Sequence, residues 1–193
     1  GNNYAMYQAV RDDWFSLLSQ GERIFGTANS DSHGSDALVA MPVNYVAVIG
    51  DSIATYQQQE FVNAVAAGDF FGTTGPILAL KMVSDTGEEA GPGAELSGQQ
   101  FKLKLEVSAA SWVPVQQLNL YINGRLDRSL PITTNSLVEL PLHFKRDSYV
   151  VVEVEAEPDE LYRKLAPGFK PFAFSNPIFI DANSDGDWQP PGL

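Results

Sequence analysis

Phe101, Leu103, Leu105 and Val107 alternate with Lys102, Lys104 and Glu106. A period of two puts the apolar side chains on one face of a strand and the charged ones on the other. Only a sheet with one buried and one wet face accepts that pattern. Runs over 77–83, 118–122, 137–144 and 149–157 also read as strands, with no helical period between them. Asn123-Gly124 marks a hairpin, because both residues accept positive φ. Strands at this spacing predict an antiparallel sandwich of about 100 residues.

The first 75 residues have a different rhythm. Tyr7, Val10, Trp14, Leu17 and Leu18 form one apolar stripe, which predicts a helix over 3–20 with Gly21 as its stop. A short apolar run over 24–28 reads as a strand leading into the polar loop Asn29-Ser30-Asp31-Ser32-His33-Gly34. Residues 45–49 read as a second strand. Residues 60–67 read as a helix, with Phe61, Val62 and Val65 on one face and Gly68 at its end. Alternating helices and strands are the habit of an α/β layer. The boundary falls near Gly75-Pro76 and gives two units, 1–75 and 76–193.

The net charge of −12, with 12 scattered Lys and Arg, argues against a nucleic-acid surface and suits a bound divalent cation better. The absence of cysteine removes disulfides, thiolate metal sites and cysteine nucleophiles. No apolar run approaches the roughly 18 residues of a membrane span. Gly1-Asn2-Asn3-Tyr4 has neither the basic region nor the apolar core of a signal peptide, and the missing start methionine points to a processed or excised chain.

Asp31 and His33 stand two residues apart just past an expected strand end, where α/β barrels build their sites. Carboxylate and neutral imidazole ligate Zn²⁺, Mn²⁺ or Fe²⁺. The same two residues also suit a turn former and an exposed loop histidine. Asp181, Asn183, Asp185 and Asp187 match the first half of a calcium loop with Gly186 at its turn, but position 12 is Gly192 rather than a bidentate Glu. The bland reading there is a solvated turn. Gly72-Thr73-Thr74-Gly75-Pro76 could hold a phosphate on its amides, but lacks a P-loop's Lys and reads better as a turn. His143 reads as a structural strand residue. Trp112, Trp188 and the tyrosines suit either a sugar-stacking face or a core.

The residues around Asp31 and His33 resemble the last metal motif of the PHP family, the polymerase-and-histidinol-phosphatase metallohydrolases, in its CehA/McbA-like branch. A helix with Trp14, Leu17, Leu18 and Gly21 precedes the motif. A helix from Glu60 and Phe61 to Gly68 follows it and leads to Phe70-Phe71-Gly72-Thr73-Thr74-Gly75-Pro76. Ser175-Asn176-Pro177-Ile178-Phe179-Ile180-Asp181 is similar to a segment that branch carries after a β-sandwich. The resemblance covers nearly the whole chain, as the last part of a family member. It implies an α+β chain: a partial PHP-type α/β barrel end followed by an antiparallel immunoglobulin-like β-sandwich.

The implied activity is metal-dependent hydrolysis of a small-molecule phosphoester, with Asp31 and His33 as ligands. The chain departs from the family in having only His33 and His143, so the early His-x-His and the intervening ligands are absent. A working site needs about three protein ligands plus water, so this portion alone is expected to bind metal weakly and catalyse poorly. An incomplete barrel would expose apolar surface and favour self-association. The resemblance also leans toward an extracytoplasmic place. The alternative is a non-catalytic β-sandwich module that recognises a glycan or a protein.

Overall fold

The computed structural model describes residues 3–35, 38–50 and 52–192; Gly1 and Asn2, which entered the reading of the chain's start, lie outside them. In chain order the elements are α1 (Asn3–Ser19), β1 (Val43–Val46), α2 (Gln58–Ala67), β2 (Phe70–Thr73), β3 (Ile77–Ser84), β4 (Glu89–Ala90), β5 (Glu95–Ser97) and β6 (Gln100–Ser108). Then follow β7 (Gln117–Ile122), β8 (Arg125–Pro131), β9 (Ser136–His143), β10 (Ser148–Glu155), α3 (Glu160–Leu165), β11 (Phe172–Ser175) and β12 (Ile178–Asp181).

The alternation in β6 is realised as the sequence requires. Phe101, Leu103, Leu105 and Val107 are buried, while Lys102 and Glu106 stay exposed. β6 is central in a four-stranded antiparallel sheet ordered β4-β3-β6-β9. Ion pairs of Lys81 and Lys104 with Glu89, and of Lys102 with Glu139, cover its wet face. The second sheet has eight strands, ordered β1-β2-β11-β10-β12-β5, with β7 and β8 added at β10. Leu103, Leu105 and Met82 from one sheet meet Leu120, Val150, Val152 and Ile178 from the other in one dry cluster. The molecule is therefore α+β and built as a β-sandwich.

In the middle of the second sheet, β10, β11 and β12 are buried on both faces. α1 lies across its outer side, with Trp14, Phe15 and Leu18 packed on Tyr121, Tyr149, Val151, Phe172 and Phe174. Burying each such side chain contributes about 1.5–3 kcal/mol. This explains why β10 is one continuous buried run rather than an alternating strand. Gly21, at φ 102°, ends α1: its amide and that of Glu22 donate back to the carbonyls of Leu18 and Leu17. Asn123 and Gly124, both at positive φ, turn β7 into β8, the hairpin their side chains predict.

Gly75-Pro76 is where the chain crosses from one sheet to the other, between β2 and β3. Strands from both sides of that point nevertheless share the eight-stranded sheet. β1 pairs antiparallel with β2, and β2 antiparallel with β11. The strand expected over 45–49 runs instead over 43–46, and beyond it Ile49 is 81% exposed. Residues 24–28 form no strand. Ala28 is buried and Phe25 half-buried, as apolar residues require, but the backbone finds side-chain partners instead of a neighbouring ladder.

Candidate functional site

Those side-chain partners fix the root of the loop that carries Asp31 and His33. Asn44 of β1 lies alongside Ala28, its Oδ1 accepting from the Ala28 N–H and its Nδ2 donating to the Ala28 carbonyl, both at 2.8 Å. One primary amide thus does the work of a strand neighbour. The Gly26 N–H donates to Oδ1 of Asn176 at 2.8 Å, and Trp14 Nε1 donates to the Ile24 carbonyl at 2.7 Å. Asn176 has no exposure, and its Nδ2 also reaches the Phe70 carbonyl of β2. The close fit requires a missing side chain at Gly72, where a Cβ would come within 2.4 Å of the Phe174 ring and 2.7 Å of Ala28.

Past this anchored root the chain turns outward. Asp31 takes φ 47°, a left-handed conformation that Asp tolerates better than most residues. Its side chain is 92% exposed and that of His33 is 83% exposed. His33 Nδ1 lies 3.7 Å from Asp31 Oδ1 and also contacts the Asp31 carbonyl. The two predicted ligands are therefore side by side and open to solvent. Asp31 stands at the rim of a cavity of about 400 Å³ walled by Tyr7, Pro42, Phe169, Phe172 and Phe174. Among the described residues, no group of three or more His, Asp, Glu or Cys is placed to hold a metal ion. Two ligands fall short of the roughly three that a working site needs, so the metal that the resemblance implies is not fully provided for.

Beneath α1 the sequence reading missed a buried polar cluster. Glu153, with no exposure, accepts from the Tyr7 hydroxyl at 2.7 Å and faces Arg11 Nη1 at 3.4 Å. Arg11 also donates to the Tyr121 hydroxyl at 3.0 Å. Burial pushes the Glu153 carboxyl above its usual range, and the Tyr7 hydroxyl, Arg11 and Tyr121 pull only part of the way back. Burial and the neighbouring Glu153 push Tyr121 up to about 12. A charged residue set inside the valine run of β10 was the signal available in the sequence.

The remaining candidates resolve into structural roles. Asp181 is fully buried and accepts from Ser97 Oγ and the amides of Asp185 and Gly186. Burial raises its carboxyl, but these hydrogen bonds outweigh it and hold it below its usual range. Asn183 and Asp185 close on each other, and Asp185 accepts the Asp187 amide. The loop at 181–187 thus satisfies its own donors and acceptors as a turn. In the Thr73-Thr74 turn, the hydroxyls bind the carbonyls of Pro76 and Lys170, and the Gly75 amide donates to Thr73 Oγ1. That leaves no cradle of amides for a phosphate.

His143 is exposed at the end of β9, opposite Gln100. Trp188 is buried against Phe179 and donates to the Ser148 carbonyl, while Trp112 stacks on Tyr162. Trp188 belongs to the core, and the half-buried Trp112 packs at the edge of a small cluster with Val113 and Tyr162.

No protein-family model matches the chain, and no curated protein matches it. Among solved structures, the chain is similar to a CARDB domain of a Pyrococcus furiosus protein, crystallised in complex with di-metal ions. The identity is 11%, the TM-score is 0.30, and the match covers 56% of this chain and 96% of that one. A likeness at that level carries no argument about this chain.

Proposed function

We propose that this chain is the C-terminal part of a PHP-type metal-dependent hydrolase acting on a small phosphoester, and that Asp31 and His33 are two of its metal ligands. The remaining ligands would come from sequence outside these 193 residues. The carrying observation is the pair itself. Asp31 and His33 stand together, exposed, on a loop whose root is pinned by Asn44 and Asn176, with Asp31 at the rim of an aromatic-walled cavity. Neither side chain is spent on holding the fold, unlike Asp181 or Glu153.

A second feature supports the reading. α2 has no buried residue, its Phe61 and Val62 are exposed, and Val39, Ile49 and Ile53 in the segment before it are exposed as well. In the proposed protein these belong to an α/β barrel end whose other elements would cover them. No catalytic step is assigned to two ligands. Metal bound by a full set would lower the pKa of a water toward ~7 and polarise the phosphoester. This chain's own contribution is to hold one carboxylate and one imidazole in fixed relation.

The test is Zn²⁺ or Co²⁺ titration of the chain by calorimetry, beside Asp31→Ala and His33→Ala. Weak binding, with a dissociation constant on the order of 0.1 mM, lost in both variants, is the expected result. Binding that survives both substitutions, or none at millimolar metal, would overturn the assignment.

A further inference from the structure

A second and larger cavity, of about 640 Å³, lies on the opposite side of β2, between the β1–β2 ribbon and the sheet of β3 and β4. Its ribbon wall follows from strand geometry. Tyr45 pairs with Phe71 across the strands, and the Ala47 amide donates to the Asp69 carbonyl one step on. With a period of two, Tyr45, Ala47, Phe71 and Asp69 all face the same side, and all four line the cavity. The Tyr45 and Phe71 rings stack at 5.3 Å with 7° between their planes, and Tyr45 keeps 47% of its surface exposed. Each ring covers part of the other's face, and the half-open Tyr45 ring stands beside a carboxylate.

Asp69 is half-buried, and burial alone raises its carboxyl above the usual range. Among the described residues, no hydrogen bond or ion pair engages that carboxylate, whereas the fully buried carboxylates Glu153 and Asp181 are each bound by several donors. A desolvated, unanswered acceptor beside an aromatic face in a cleft is the arrangement of a binding site.

The facing wall selects the ligand. Lys81 and Lys104 stand there with Glu89 between them and Glu106 alongside. Glu89 already engages both lysines, which leaves no free ammonium for an anion, and a cation would meet those two ammonium groups across the cleft. A wholly apolar ligand would desolvate Asp69 further without donating to it. What remains is a neutral molecule with one apolar face and a rim of hydroxyl donors. We propose that this cavity binds a neutral oligosaccharide, a pyranose ring stacking on Tyr45 and its hydroxyls donating to Asp69.

The experiment is titration of the chain with cellopentaose, mannopentaose and xylopentaose by calorimetry and ¹H–¹⁵N NMR, with trigalacturonic acid and chitotriose amine as charged counterparts. At least one neutral sugar is expected to saturate in the micromolar to millimolar range, with shifts centred on 45–47 and 69–71. Tyr45→Ala should weaken it about tenfold or more, and Asp69→Asn several-fold, with unchanged circular dichroism. Asp31→Ala and His33→Ala should bind the sugar as the parent does, so failure of the metal assignment and failure of this one are separately visible. No saturation by any neutral sugar at about 10 mM, preference for a charged sugar, or full binding by Tyr45→Ala would overturn the proposal.

Discussion

The sandwich and the region over 38–67 use apolar residues in opposite ways. In β6, β10 and β12 every large apolar side chain is buried, between the sheets or under α1. Between Val39 and Val62 the same residue types lie open, with Ile53 99% and Val39 82% exposed. The difference is one of partners, since both regions have apolar residues at the right periods. The sandwich closes on itself; α2 meets little besides β1. The lesson is that amphipathic pattern reports what a segment is made to cover, whether or not the cover is present.

Two substitutions probe that contrast. Leu103→Ala, at the centre of the dry core, should cost about 3 kcal/mol, whereas Ile53→Ala should change stability by under ~0.5 kcal/mol. Urea unfolding measures both, and equal losses would erase the distinction between the regions.

Arg11→Met tests how α1 is held. Burial raises the Glu153 carboxyl above its ordinary 4.5, so the folded chain keeps a proton that the unfolded chain releases. Its contribution is complete below about pH 4.5 and fades as pH climbs through the folded value. Without Arg11 that value rises further and the fade deepens. The variant should match the parent near pH 4.5 and trail it by about 2 kcal/mol at pH 7.5; parallel pH curves would contradict the account.

Asn44→Ala has a small and local effect. About 1 kcal/mol of hydrogen bonding is lost, and amide exchange at Ala28 should quicken while exchange in β10 stays slow. If both quicken together, the loop root and the sandwich are one unit rather than two.

Much of the sandwich was legible because its signals are local. Alternation in β6 and the Asn123-Gly124 turn place strands and a hairpin without knowledge of anything distant. The run over 24–28 misled for a physical reason. Its apolar pattern suggested a strand, but strand ladders need backbone partners, and here Asn44 and Asn176 supply side-chain ones from 16 and 150 residues away. Glu153 was overlooked because its meaning depends on Tyr7, Arg11 and Tyr121 arriving from other elements. Asp69 was overlooked for the converse reason: what distinguishes it is the absence of a neighbour among the described residues, which no sequence pattern encodes.

Because β10 is apolar toward both layers, its valines cannot tell one alignment from the next. Sliding Val150-Val151-Val152 by one position along β7 would trade one buried valine for another. Glu153 breaks that degeneracy. A slip of one would carry its carboxylate into the space between the sheets, away from Tyr7 and Arg11, at a cost of several kcal/mol. The least comfortable residue of the strand is thereby its index mark, and the helix that answers it acts as a proofreader of the sheet's assembly.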